Sequence, residues 1–174
     1  RVLHSRGNLA GWGRGEPASS LDLFRTAFDV LAPTGDPLAV VSVVSEAYMA
    51  VRCGEFERAR ETLPRVEAAA EFNEAFGAMG SDQVLGLLAM YKGDTDEADR
   101  LLTRSLHMLE QMGLKTLVGL ILVPLVWTAT LRGRLDEARK RAGDAYHFVT
   151  NDSAGWRVGE VCAAFGVVEL AAAN

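Results

Sequence analysis

The chain has 174 residues, 49% of them hydrophobic and 24% charged, with a formal net charge of −5. That balance suits a soluble globular domain and excludes a disordered chain. The charges are mixed rather than gathered into a Lys/Arg stripe, so this segment offers no electrostatic reason to bind nucleic acid directly.

The predicted elements are all helical. The first copy of a recurring turn is "GRGEPASSLDLF", with Gly15 at the turn and Pro17 in the first turn of the next helix. Asp36-Pro37 then reads as an N-cap and first helical position, opening a helix to about Arg52. A helix from Glu55 to about Glu71 follows, and Pro64 inside it should bend it, because proline lacks the N–H the helix needs. Another begins at Asn73 or Glu74 and ends at Lys92, weakened in its first turns by Gly77 and Gly80. Thr95 to Met112 is expected next, with Gly113 just past its end. Lys115 to Arg132, Leu135 to Thr150 and Ser153 to Ala173 complete the series, the last opened by a cap from Asn151, Asp152 or Ser153. Period-2 alternation is lacking over any useful length, so no strand is expected.

The turns repeat. Gly15, Gly54, Gly93 and Gly133 are spaced by 39, 39 and 40 residues, and five positions after each stands a small residue: Ser20, Ala59, Ala98, Ala138. Glycine ends one helix in a left-handed conformation, an acidic residue starts the next, and the small residue lets two antiparallel helices touch. Asp94 and Glu97 have capping-box spacing. The expectation is one domain over residues 1–174, an all-α right-handed superhelix (α-solenoid) of about four and a half helical hairpins. The chain starts at Arg1 and ends in "VELAAAN", and both ends read as cuts within a longer protein.

Little in the sequence suggests chemistry. "GWGRG", Gly11 to Gly15, has neither the preceding strand nor the spacing of a phosphate loop and reads as an irregular turn. His4, His107 and His147 have no metal-ligand spacing, and no Ser-His-acid grouping is apparent, so neither metal, cofactor nor enzymatic activity is expected. Cys53 and Cys162 are too far apart for a disulfide framework and read as buried, reduced thiols. The sixteen uncharged residues Thr116 to Leu131 are short for a membrane span and read as a core helix. A cytoplasmic location follows from these readings.

The residues resemble the tetratricopeptide (TPR) repeat. The third copy carries the resemblance best, with Gly86 in its first helix, Gly93-Asp94 at the turn, Ala98, then Leu102. The second offers Ala47, Gly54, Ala59 and Leu63, the fourth Gly133 and Ala138, and the first, least similar, Asn8, Gly15, Ser20 and Phe24. The usual period is shorter than the 39 to 40 residues found here. That longer period is similar to the repeats of MalT-like, ATP-binding LuxR-family bacterial transcription regulators. The ratio of fifteen Arg to three Lys is in keeping with a GC-rich bacterial source.

The resemblance implies a binding rather than a catalytic role, with the first helix of each hairpin lining a concave groove. Its groove positions fall on Tyr48 and Arg52, on Gln83, Leu87 and Tyr91, and on Trp127 and Thr130. Such a surface suits a protein or peptide partner, or an apolar effector. Docking to other domains of the parent chain and self-association also fit, whereas nucleic acid and membrane do not. The alternative is a stand-alone scaffold joining proteins without a small-molecule ligand.

Overall fold

The computed structural model describes residues 1–70, 74–151 and 158–173, and everything described is helix or connecting turn. The chain divides into two compact units, Arg1–Leu88 and Ala89–Asn174. In the first, α1 (Val2–Asn8) runs into a π-helical turn, Leu9–Gly13. It is followed by α2 (Pro17–Leu31), a 3₁₀ turn (Ala32–Thr34), α3 (Leu38–Arg52), α4 (Phe56–Glu61) and α5 (Leu63–Ala70). Helix α1 packs on α2, α2 on α3, and α3 on both α4 and α5. Helix α6 (Glu74–Lys92) runs through the residues that divide the units. The second unit continues with α7 (Thr95–Gln111), α8 (Lys115–Leu131), α9 (Leu135–Asn151) and α10 (Val158–Ala172). Helix α8 lies against α7 and α9, and α10 against α9 and α8.

The turn glycines do what their spacing implied. Gly15, Gly54, Gly93 and Gly133 all adopt positive φ, between 70° and 84°. At three of them the next residue donates its N–H back to a carbonyl five residues earlier. Glu55 reaches Ala50 at 2.8 Å, Asp94 reaches Ala89 at 3.0 Å, and Arg134 reaches Ala129 at 3.0 Å. This is the Schellman closure, which satisfies carbonyls that the end of a helix leaves unpaired. At Gly15 the bond is one residue longer, Glu16 to Ala10, because the π-helical turn precedes it. The stretch expected as an irregular turn, Gly11 to Gly15, is thus π-helical as far as Gly13 and ends at the left-handed Gly15.

Each second helix then buries the same positions. Ser20, Ala59, Ala98 and Ala138 have no exposure, as close approach of two helices requires. Nine, twelve and sixteen residues after the glycine, α2 buries Phe24, Ala27 and Leu31, and α7 buries Leu102, Ser105 and Leu109. Helix α9 does the same with Ala142, Ala145 and Val149. These steps of three and four residues keep one stripe on the core.

The second copy breaks this rule. The helix expected from Glu55 stops at Glu61 and restarts at Leu63, so the bend anticipated from Pro64 is a break at Thr62. Thr62 turns its hydroxyl to the Ala59 carbonyl at 2.7 Å, and its own carbonyl takes the N–H groups of Arg65 and Val66, both at 3.0 Å. Thr62 is buried in place of Leu63, one residue early, and Val66 restores the register.

Other boundaries differ in detail. Helix α3 begins at Leu38 with Pro37 at its N-cap, one residue later than expected, and the Leu38 N–H donates to the Asp36 carboxylate at 3.0 Å. Only half of the expected capping box forms. Asp94 accepts the Glu97 N–H at 3.2 Å, but the Glu97 carboxylate turns to Arg100 at 2.7 and 2.6 Å. The expected helix end at Glu71, the start at Asn73 and the caps at Asp152 and Ser153 lie outside the described residues. The uncharged run becomes most of α8. There Pro124 sits within the helix, and Thr128 donates its hydroxyl to the Pro124 carbonyl at 2.8 Å. Among the described residues, no helix is long and apolar enough to cross a membrane.

Candidate functional site

The expected groove residues separate into three groups. Tyr48 on α3, and Gln83 and Leu87 on α6, are buried. Tyr48 packs its ring 5.8 Å from that of Trp12. Each of these three side chains is enclosed by its neighbours rather than open to a partner. Arg52 and Tyr91 are exposed, Tyr91 by 50%. Trp127 and Thr130 are half-buried at the end of α8, one helical turn apart. Thr130 gives its proton to the Val126 carbonyl at 2.8 Å, so its hydroxyl oxygen is what remains for a partner. Leu131 adjoins them and is 61% exposed. The last turn of α8 is therefore where expected groove positions and accessible apolar surface coincide.

Burial of Tyr48 has a local cause. Helix α3 carries one charged residue between Pro37 and Arg52, Glu46, and is buried on every side. Glu46 itself has no exposure and is held by three arginines. Arg25 of α2 lies 3.2 Å away, Arg58 of α4 3.3 Å and Arg65 of α5 2.5 Å. Asp22 takes the other side of Arg58 at 2.9 Å. Burial opposes the charge on Arg58, but the Asp22 and Glu46 carboxylates outweigh it and raise its pKa above the ordinary guanidinium value. A carboxylate so occupied is not a free general base; its geometry is that of a tie between helices. Nothing in the motif spacing marked Glu46, although an acid alone in an apolar helical run was the available signal.

A second carboxylate does related work in the other unit. Asp99 of α7, 20% exposed at its side chain, receives Arg132 at 3.1 Å and Arg141 at 2.8 Å. Arg132 also meets Asp96 at 2.6 Å, and Arg141 meets Glu137 at 2.6 Å. The same face of α7 carries Arg100, Thr103, Arg104, His107, Met108 and Gln111, which line a shallow open groove of about 500 Å³.

One buried histidine has the makings of a catalytic pair and fails on its protons. His4 Nδ1 stands 3.0 Å from Ser42 Oγ, and Ser42 Oγ donates to the Leu38 carbonyl at 2.8 Å. A hydroxyl has one proton, so Ser42 accepts from His4 rather than giving its proton up. Burial lowers the His4 pKa to about 4, which keeps the ring neutral near pH 7. The ring packs 5.5 Å from Phe24, itself 5.8 Å from Trp12, as part of an aromatic core. His107 and His147 are exposed, with Glu110 and Asn151 as neighbours. Among the described residues no three His, Cys, Asp or Glu side chains gather as metal ligands.

The cysteines differ from their expected placement. Cys53 is half-buried, and burial, then the Glu55 carboxylate, raise its pKa. Cys162 is exposed, because α10 turns Val161, Ala164 and Val168 to the core and Cys162 away from it. Comparison with models of known families, with curated proteins and with solved structures finds no match.

Proposed function

We propose that the chain is a binding module of repeated helical hairpins, stacked as a TPR-like superhelix, that acts by holding a protein, a peptide or an apolar effector. The observation that carries this reading is the end of α8. Trp127 is half-buried and Leu131 exposed at positions whose neighbours Val126 and Ala129 are fully packed. A large aromatic beside accessible aliphatic surface is the usual chemistry of an interaction hot spot. Arg52 and Tyr91, exposed at the matching place two residues before their own turn glycines, extend the same register. The 39–40-residue spacing and the resemblance to MalT-like regulators support placing the module in a bacterial transcription regulator. There it would favour one of two states of an attached switch, provided the bound partner prefers that state.

The test is selection of peptides from a random library on the immobilised protein, with a metabolite thermal-shift screen alongside. Trp127→Ala and Leu131→Ala should each weaken capture of a selected peptide or effector about tenfold or more, with helicity by circular dichroism unchanged. Capture that survives both substitutions, or that falls only in step with helicity, would overturn the assignment of this surface.

A further inference from the structure

We infer that α5 is a strap, held on the first unit chiefly by Arg65, which can open as a unit while α2 and α3 stay folded. Four observations carry this. First, α5 is separate from α4: the chain breaks at Thr62, and Pro64 supplies no N–H with which α4 could continue. With eight residues, α5 is too short to persist in water alone. Second, its anchors are few among the described side chains, Leu63 to Ala68. Val66 is fully buried and Leu63 half-buried, but Pro64, Glu67 and Ala68 are exposed. The other second helices bury a residue at every turn. Third, among the described residues the Arg65 side chain meets α2 and α3: Glu46 at 2.5 Å, Asp29 at 3.9 Å, and the Phe28 ring, 4.5 Å below its guanidinium.

The fourth observation sets the cost of opening. A buried carboxylate that loses its single partner is strongly unfavourable. Glu46 is not in that position, because Arg25 and Arg58 remain on it when Arg65 departs. The Glu46 charge stays compensated, so lifting α5 forfeits the Arg65 contacts with Glu46, Asp29 and the Phe28 ring and the Val66 packing without orphaning a buried ion. What the strap covers is apolar. Val66, Val40 and Val44 converge on Gly80 of α6, where an added Cβ would lie 3.0 to 3.1 Å from all three. Segments with few buried anchors open at the low end of a protein's range of local stabilities.

Hydrogen exchange by mass spectrometry on the whole chain tests this. In Arg65→Met, amides of residues 65 to 68 should exchange about tenfold faster, while those of α2 and α3 keep their rates. Arg25→Met, which removes another Glu46 partner from an unbroken helix, should leave α5 unchanged. Raising salt on the wild-type protein should speed exchange in α5 more than in α3, which keeps the idea testable if a variant does not fold. Exchange of α5 in step with α3 under salt, or equal effects of Arg65→Met and Arg25→Met, would overturn the strap.

Discussion

The first unit ties its helices through a carboxylate with no exposure, the second through one that is partly open to water. Glu46 sits in the middle of α3, and its three arginines come from three different helices. Asp99 sits near the start of α7, and its arginines come from the end of α8 and from α9, with Asp96 and Glu137 sharing them. The difference teaches where an ion pair matters for folding. A network partly open to water can replace part of a lost partner with solvent, whereas a carboxylate with no exposure cannot.

The largest effect should come from Glu46. Glu46→Ala leaves three guanidinium groups facing one another beside an apolar helix and should cost about 3–5 kcal/mol of unfolding free energy. Asp99→Ala should cost only about 1 kcal/mol, as its arginines keep Asp96 and Glu137. Urea titrations of the two variants measure both values, and equal losses would erase the contrast between the units.

Acid should act on the first unit next. In the unfolded chain His4 titrates near 6.5, and in the fold at about 4. Between those values the unfolded chain binds a proton that the folded chain refuses. The stability from His4 is therefore complete above pH 6.5 and drains away as the pH falls toward 4, by about 3 kcal/mol. The second unit's His107 and His147 are exposed. His4→Gln should flatten the urea midpoint between pH 6.5 and 4, and an unaltered pH profile would remove His4 as the cause.

Smaller effects should be shared by both units. Ala59→Leu, Ala98→Leu and Ala138→Leu each force a larger side chain between helices in contact and should cost about 1–3 kcal/mol. Thermal denaturation compares them, and a tolerant position would show that its pair of helices is not in close approach. Gly93→Ala should cost least, about 1 kcal/mol, since its φ of 84° strains any side chain although open space surrounds it. Gly133→Ala should match it, and a large difference between the two would show that the turns are not equivalent.

The spacing of Gly54, Gly93 and Gly133 made the turns legible, because a left-handed helix end and its tight closure are written in consecutive residues. Ala59, Ala98 and Ala138 were legible for the same reason, as their small size has one structural use at a fixed distance from the turn. The break at Thr62 was half-legible: Pro64 announced a disturbance, but where the helix yields depends on which neighbour fills the core. Glu46 was illegible in its role, since its partners are 12 to 21 residues away on other helices and chosen by packing. The expected groove residues divide between buried and exposed for a related reason. Tyr48, Gln83 and Leu87 share a register with Arg52, Tyr91 and Trp127, and register alone does not say which side chains a neighbouring helix covers.

The measurement closest to the central claim, that one local unit is written repeatedly along the chain, is residue-resolved amide exchange. The account predicts that α2, α7 and α9 each protect best the stretch from five to sixteen residues after their turn glycines, with the pattern interrupted between α4 and α5. Protection maxima that fall at unrelated offsets in those three helices, or an uninterrupted maximum across Thr62, would contradict it.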